Sequence, residues 1–330
     1  MKFLYKYPQM AYPYEQLLEE NAQRSREVPE YELMDTEAFD EDRYWDIFVE
    51  VSCRFGLIQR MLSPCPQYAK DEQGPDGISI RITAYNRGPE PADLHILPQV
   101  FFRNTWSWKK EMPKDRPEMR QVGEGDIEIN HPTMEKMHFY ATPSPAPAAP
   151  AKGGVVMVDG PSVTPELLFT ENETNFERLY NGKNRTPYVK DAFHDYLIPS
   201  HRPTPAEVQK GKATSGHTDE EAENIVAPPP RPDADEEGKK FVNPEKFGTK
   251  AAAHYFFPQV PAKGGCVVMR LKLTQNTPEE DPSIDDEELF DDTVEDRRVD
   301  ADEFYHRVCK GPISDDMRNV LRQALGGMMW

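Results

Sequence analysis

Polar and apolar residues alternate over several short stretches of the chain, and a period of two predicts strands. Ile78-Ser79-Ile80-Arg81-Ile82-Thr83 follows the period most clearly, and Asn86-Arg87-Gly88 then supplies a turn. Tyr44 to Val49 is rich in aromatic and β-branched residues and reads as another strand. Leu94 to Arg103 is an apolar run in which Pro98 points to an edge or a bulge. Ile127 to Ile129 and Met137 to Tyr140 predict short strands. Val155 to Val158 and Cys266 to Leu271 each follow Pro-Ala-Lys-Gly-Gly, at 150–154 and 261–265, which reads as two similar hairpin entries. Many short strands punctuated by Gly and Pro predict a mainly β fold, an antiparallel β-sandwich over 31–275. Helical spacing dominates only over 285–330, where Ser314 caps a segment reaching Met329 and Asp315 and Asp316 suit its first turn. Val320, Leu321, Ala324, Leu325 and Met328 share one apolar stripe there, a face that calls for a partner helix.

Three segments break these patterns. Residues 141–152 form a proline- and alanine-rich linker, and 199–240 contain almost no large apolar residues, so both read as mobile insertions. From Glu279 to Glu303 the chain is strongly acidic. The expected organisation is a β domain over 1–278, then an acidic linker and the start of a helical domain over 279–330.

Composition narrows the function classes. A formal charge of −19 opposes binding to nucleic acid or to anionic membranes, while neutral sugars are unaffected by it. The N-terminal MKFLYKYPQM lacks the apolar core of a signal peptide. The four cysteines (Cys53, Cys65, Cys266 and Cys309) show no CxxC spacing, which predicts free thiols in a reducing cytoplasm, with neither metal nor cofactor. No P-loop, GxSxG, HExxH or GxGxxG sequence is present.

Four clusters concentrate chemistry. Phe101 to Trp108 sets Trp106 and Trp108 beside Arg103 and Asn104, which suits either a sugar platform or a buried strand end. Leu168 to Asn175 is dense in donors and acceptors, as a capped turn also is. Pro187 to Tyr196 offers a His/Asp pair or a surface network, and Gly248 to Tyr255 reads as a tight turn entering a strand. The expected sugar-contacting residues are Arg103, Asn104, Trp106, Trp108, Glu171, Asn172, Asn175, Asp191 and His194.

Taken in order, FLYKYPQ, ELMDTEAFDEDRYWDIFVE, ISIRITAYNRGPE, LHILPQVFFRNTWSW, LFTENETN, PYVKDAFHDY, GTKAAAHY and ADEFY resemble the N-terminal half of bacterial and fungal proteins related to glycoside hydrolase family 63. The resemblance implies a sandwich packed on an (α/α)6 barrel and inverting hydrolysis of α-linked oligosaccharides. It puts the acid and base on barrel segments beyond Trp330, so no catalytic residue falls on this chain, which is expected to be cut at both ends and inactive alone. The alternatives are a non-catalytic carbohydrate-binding or interaction protein and an inactive truncated gene product. In the related proteins Val49-Glu50 runs directly into a Tyr-Ala-Lys stretch, here Tyr68-Ala69-Lys70. The seventeen residues 51–67 between them read either as a retained intron, translated as an insertion outside the sandwich, or as a genuine lineage-specific loop.

Overall fold

A computed structural model of the chain describes residues 1–53, 77–108, 115–151, 154–157, 160–198, 238–309 and 311–329. Its first strands are β1 (Lys2–Pro8), β2 (Tyr44–Cys53), β3 (Ile78–Asn86), β4 (Ala92–Ile96), β5 (Gln99–Phe101), β6 (Glu118–Gly123) and β7 (Asp126–Asn130). They are followed by β8 (Met137–Ala141), β9 (Ala148–Ala151), β10 (Gly154–Met157), β11 (Glu166–Thr170), β12 (Phe247–Gly248), β13 (Lys250–Val260) and β14 (Cys266–Thr274). The α-helices are α1 (Tyr14–Gln23), α2 (Phe176–Tyr180), α3 (Ala192–Leu197), α4 (Glu287–Val308) and α5 (Asp315–Met329). The architecture is the mainly antiparallel β fold expected, with the longest helices late in the chain. Two compact units divide it: unit 1 holds Met1–Leu94, Tyr140–Thr164 and Gln259–Trp330, and unit 2 holds His95–Phe139 and Pro165–Pro258.

In unit 1, β1, β2, β3 and β14 pair in that order, all antiparallel. The register sets Ile47 and Val49 beside Ala84 and Ile82, and these beside Val267 and Met269. One face of the sheet is thus a continuous apolar surface, with Ile82, Ala84, Val267, Met269 and Leu271 buried. The opposite face is ionic. Lys2, Glu50, Arg81 and Arg270 form one row across the four strands. Glu50 answers Arg81 at 2.8 Å, but Arg81 and Arg270 are directly opposite each other, a like-charge pair that disfavours the sheet.

Helix α4 supplies the missing charge. Asp291 Oδ1 accepts from Arg81 Nη1 (3.3 Å) and Arg270 Nε (3.1 Å), and Oδ2 accepts from Arg270 Nη2 (2.7 Å). Arg270 Nη1 lies 2.9 Å from Glu287, close enough for an ion pair though not aligned for a hydrogen bond. Two residues along β14, Lys272 forms a buried ion pair with Asp281, whose side chain also caps the turn Pro282–Ile284. The acidic stretch after β14 is therefore a counter-charge for the sheet face. Helix α4 starts where Asp286 accepts from Leu289 N (3.0 Å), and it buries Phe290 and Val294. In α5, Ser314 accepts from Met317 N (3.2 Å) as the sequence predicts, and Val320, Leu321 and Met328 of its stripe are exposed.

In unit 2, β12, β6 and β7 pair antiparallel, while β11 and β13 form a second sheet with β5 on the far side of β13. Pro98, which has no N–H for a ladder, falls in the gap between β4 and β5. Leu168 of β11 is opposite Ala252 of β13, and the small Ala leaves room for Phe193 and Tyr196 of α3 to pack with Val242 into one cluster.

Several local expectations change. Residues 51–53 extend β2, with Val51 opposite Ile80 and Cys53 opposite Ile78, so the strand does not end at Glu50. The remaining residues of the expected intron or loop, 54–67, lie outside the described residues, as does most of 199–240 apart from the 3-10 turn Gly238–Phe241. Within 141–152, Ala148–Ala151 form β9, which pairs with β10 and meets β14 at Cys266, so these four residues are sheet where a linker was expected. Ala151 and Gly154 of the first Pro-Ala-Lys-Gly-Gly are opposite each other in this antiparallel pair, the pairing a hairpin entry requires. Strand β1 and helix α1 have no counterpart among the sequence expectations.

Burial alone would push the Asp46 carboxyl up, but hydrogen bonds from Lys6 (2.7 Å) and Arg87 (2.6 Å) outweigh it and hold it below the usual carboxylate range. Asp291 is likewise raised by burial and lowered further by Arg270 and Arg81. A carboxyl depressed in the folded state stabilises fully above its unfolded pKa of about 4 and loses that contribution as pH falls through its lower folded value. The urea midpoint of unit 1 should therefore fall below about pH 4, and less steeply in Asp46→Asn and Asp291→Asn. A wild-type midpoint that stays level down to pH 2.5 contradicts this.

Candidate functional site

All nine residues expected to contact sugar lie in unit 2, on the segments that follow β5, β11 and α2. Leu167, Leu168, Phe169 and Thr170 carry β11 into the buried sheet, and the polar run 171–175 begins as that strand ends. Glu171 N donates to Tyr188 O (2.8 Å) and Lys190 N to Glu173 O (3.0 Å), so the 186–190 segment runs alongside.

Thr249 fastens the centre. Its hydroxyl donates to Glu171 Oε2 (2.6 Å) and accepts from Asn172 N (2.8 Å), while its backbone N donates to Thr170 O (3.1 Å). The approach of these backbones requires glycine at 248, since a Cβ there would meet Thr170 O at 2.4 Å. Asn172 Nδ2 donates to Phe102 O (2.8 Å), and its own carbonyl accepts from Asn104 Nδ2 (2.9 Å). Trp106 is 2% exposed and donates its indole N–H to Glu173 Oε1 (3.0 Å). Its aromatic face therefore packs in the interior and does not form the open platform expected of it. Trp108 is 70% exposed, with the Arg103 guanidinium 5.5 Å from its ring centroid, and this pair is the accessible aromatic surface of the cluster.

Asn175 caps α2 by accepting from Arg178 N (3.1 Å), accepts from Asn184 Nδ2 (2.9 Å), and donates to Asp191 Oδ2 (3.2 Å). The other Asp191 oxygen is buried without a hydrogen-bond partner among the described residues. His194 is exposed, and its Nδ1 lies 3.3 Å from Asp191 O, so the expected His/Asp pair meets through the backbone carbonyl. Lys250 reaches Lys190 O (2.7 Å), and burial pushes its ammonium pKa down. The structure thus gathers Asn104, Trp106, Glu171, Asn172, Asn175 and Asp191 into one set of linked loops, with Arg103, Trp108 and His194 on its surface.

Glu171 and Glu173 are both committed. Glu171 Oε1 accepts from Arg116 Nη2 (2.8 Å), and Glu173 Oε1 lies 3.6 Å from Arg185 Nη1. Beside Glu171 opens a surface depression of about 300 Å³ lined by Arg116, Glu171, Thr186, Tyr188, Asn243 and Phe247. Of these only Glu171 was singled out from sequence, because Arg116 and the 243–247 turn are distant along the chain and carry no local signature.

A second polar group was also missed. His95 Nδ1 and His254 Nε2 are 2.9 Å apart, with rings 5° from parallel and centroids 5.2 Å apart. Two coplanar imidazoles meeting head-on give that centroid distance, so one proton lies between the nitrogens. Tyr196 donates to Glu166 (2.5 Å), whose other oxygen is 3.9 Å from His254 Nδ1. Among the described residues no group of three or more His, Cys, Asp or Glu could hold a metal ion, and no helix is long and apolar enough to cross a membrane.

No protein-family model matches the chain. The chain is similar to the uncharacterized protein YMR196W of Saccharomyces cerevisiae, with 32% identity over 348 aligned residues. That alignment takes in all of this chain and 27% of the yeast protein, so the chain spans about a quarter of that relative's length.

Gly248→Ala should destabilise unit 2 by about 1–3 kcal/mol, because Thr170 O belongs to the backbone and cannot swing aside. Chemical denaturation read at the Trp106 fluorescence checks this. An unchanged midpoint would show that the strand ends can separate freely, and the Thr249 network would not be the fixed centre described.

Proposed function

We propose that this chain is the β-rich part of an inverting α-glycosidase related to glycoside hydrolase family 63, and that unit 2 contributes the support and rim of a sugar-binding site. The ordered sequence motifs suggest the family. The observation that carries the reading is that four of those motifs, far apart in sequence, interlock through Thr249, Asn172, Glu173 and Asp191. A stack of loops held this way presents Trp108 and Arg103 outward, and aromatic faces beside planar hydrogen-bonding groups suit pyranose rings.

Inverting hydrolysis needs one carboxyl group to protonate the leaving oxygen and another to activate water, about 6.5–9.5 Å apart. The buried carboxylates of this cluster do not suit those tasks. Glu171 is held by Arg116 and Thr249, and Glu173 by Trp106 and Arg185, so the oxygens of each are already engaged as acceptors within the protein. Under this reading the chain orients and desolvates a sugar, and the proton transfers belong to a helical domain carried elsewhere in a longer polypeptide. The same commitment of Glu171 and Glu173 favours, as a second reading, a carbohydrate-binding protein without catalysis.

Full-length YMR196W and this chain, assayed side by side on α-linked gluco- and manno-oligosaccharides with the product anomer read by NMR, separate the readings. The expected outcome is release of the β-anomer by the yeast protein and no turnover by the chain alone. An inert yeast protein overturns the glycosidase reading. Turnover by the chain, abolished by an acidic-residue substitution within it, overturns the assignment of chemistry elsewhere.

A further inference from the structure

We infer that the depression beside Glu171 is a binding site for a single neutral pyranose ring, separate from the Trp108 surface; this rests on the carbohydrate reading above. Its size, about 300 Å³, is at the lower limit for small-molecule sites and suits one ring better than an extended oligosaccharide. Two aromatic side chains, Tyr188 and Phe247, line it.

The polar groups available there suit a polyol. Arg116 uses one Nη in its bond to Glu171 and keeps further N–H groups without a partner among the described residues. Thr186 Oγ1 accepts from Tyr188 N (3.2 Å), which leaves its hydroxyl proton to donate. Each Glu171 oxygen accepts one hydrogen bond and can take another. Glu245, also lining the depression, is exposed. Arg116 and Glu171 cancel in charge, and Glu245 adds a negative charge, so an anionic ligand such as a sugar phosphate is repelled. A hydroxyl group, donor and acceptor at once, matches both partners without charge.

The walls are set before any ligand arrives. Glu171 N bonds Tyr188 O (2.8 Å), and Asn243 N bonds Phe169 O (2.9 Å). The Asn243 amide closes its own turn, donating to Phe247 O (2.8 Å) and accepting from Glu245 N (3.0 Å). Little ordering remains to oppose binding.

The test is a TROSY NMR titration of the 15N-labelled 330-residue chain with methyl α-D-glucopyranoside, methyl α-D-mannopyranoside and glucose 6-phosphate. At least one neutral glycoside should give saturable shifts at Thr186, Tyr188, Glu245 and Phe247, with glucose 6-phosphate at least about tenfold weaker, and Tyr188→Ala should abolish them. Should Tyr188→Ala unfold, Thr186→Val puts a methyl group in place of the hydroxyl, giving up its bond from Tyr188 N as well as any bond to the sugar, and should weaken binding about fivefold. No saturable shift, shifts confined to Arg103 and Trp108, or equal binding of the phosphate overturns the inference. Binding here alongside an inert yeast protein would sink only the glycosidase reading, and hydrolysis by that protein without shifts here would sink only this site.

Discussion

Two arginines directly opposite each other on neighbouring strands, Arg81 and Arg270, set the problem that unit 1 is built to solve. Side by side in water they would repel weakly; largely covered on a sheet they cannot remain without a counter-charge. Asp291 bonds both at once, and Asp281 does the same for Lys272 on the next step of the same face. The consequence reaches beyond electrostatics. The residues after β14 must cross back over the ionic face and place a helix there, and burial of Phe290 and Val294 follows from that course. The strong acidity of 279–303 is then a fold determinant as well as a source of solubility.

Unit 2 solves a different problem with neutral groups. Loops rich in Asn, Thr and Glu converge at the end of β11, where each backbone polar group needs a partner. Thr249 and Asn172 meet that need by bonding side chain to backbone in both directions, and Gly248 lets the chains approach closely enough to do so. A site assembled in this way is stiff, and stiffness is what a surface needs if it is to orient a ligand without a deep cavity.

The strands were legible wherever one face is buried and the other wet. Ile78–Thr83 alternates because Ile80 and Ile82 face the apolar side while Ser79 and Arg81 face the ionic one. β1 was not legible, since its residues are mostly exposed at the sheet edge and only Pro8 is buried. The 141–152 segment misled because proline and alanine resemble a linker, yet β9 uses them in a short edge pairing. In the polar clusters composition found the right loops but not the role of each residue. Trp106 and Trp108 are two residues apart and read alike, and only packing separates the buried indole from the exposed one. Arg116 and His95 were invisible for the same reason: their partners, Glu171 and His254, are distant in sequence.

The central claim is that the carboxylate of Asp291 neutralises a like-charge strand pair, and that the helix position follows from it. Urea denaturation of Asp291→Leu beside the triple variant Arg81→Met/Arg270→Met/Asp291→Leu tests this directly. The single change should cost about 2 kcal/mol, less than for a fully buried pair because 35% of the Asp291 side chain is exposed. The triple change removes the repulsion together with its remedy, at the cost of the Arg81–Glu50 pair, and should recover part of that loss. A triple variant as unstable as the sum of its parts, or a single variant with no loss, contradicts the account.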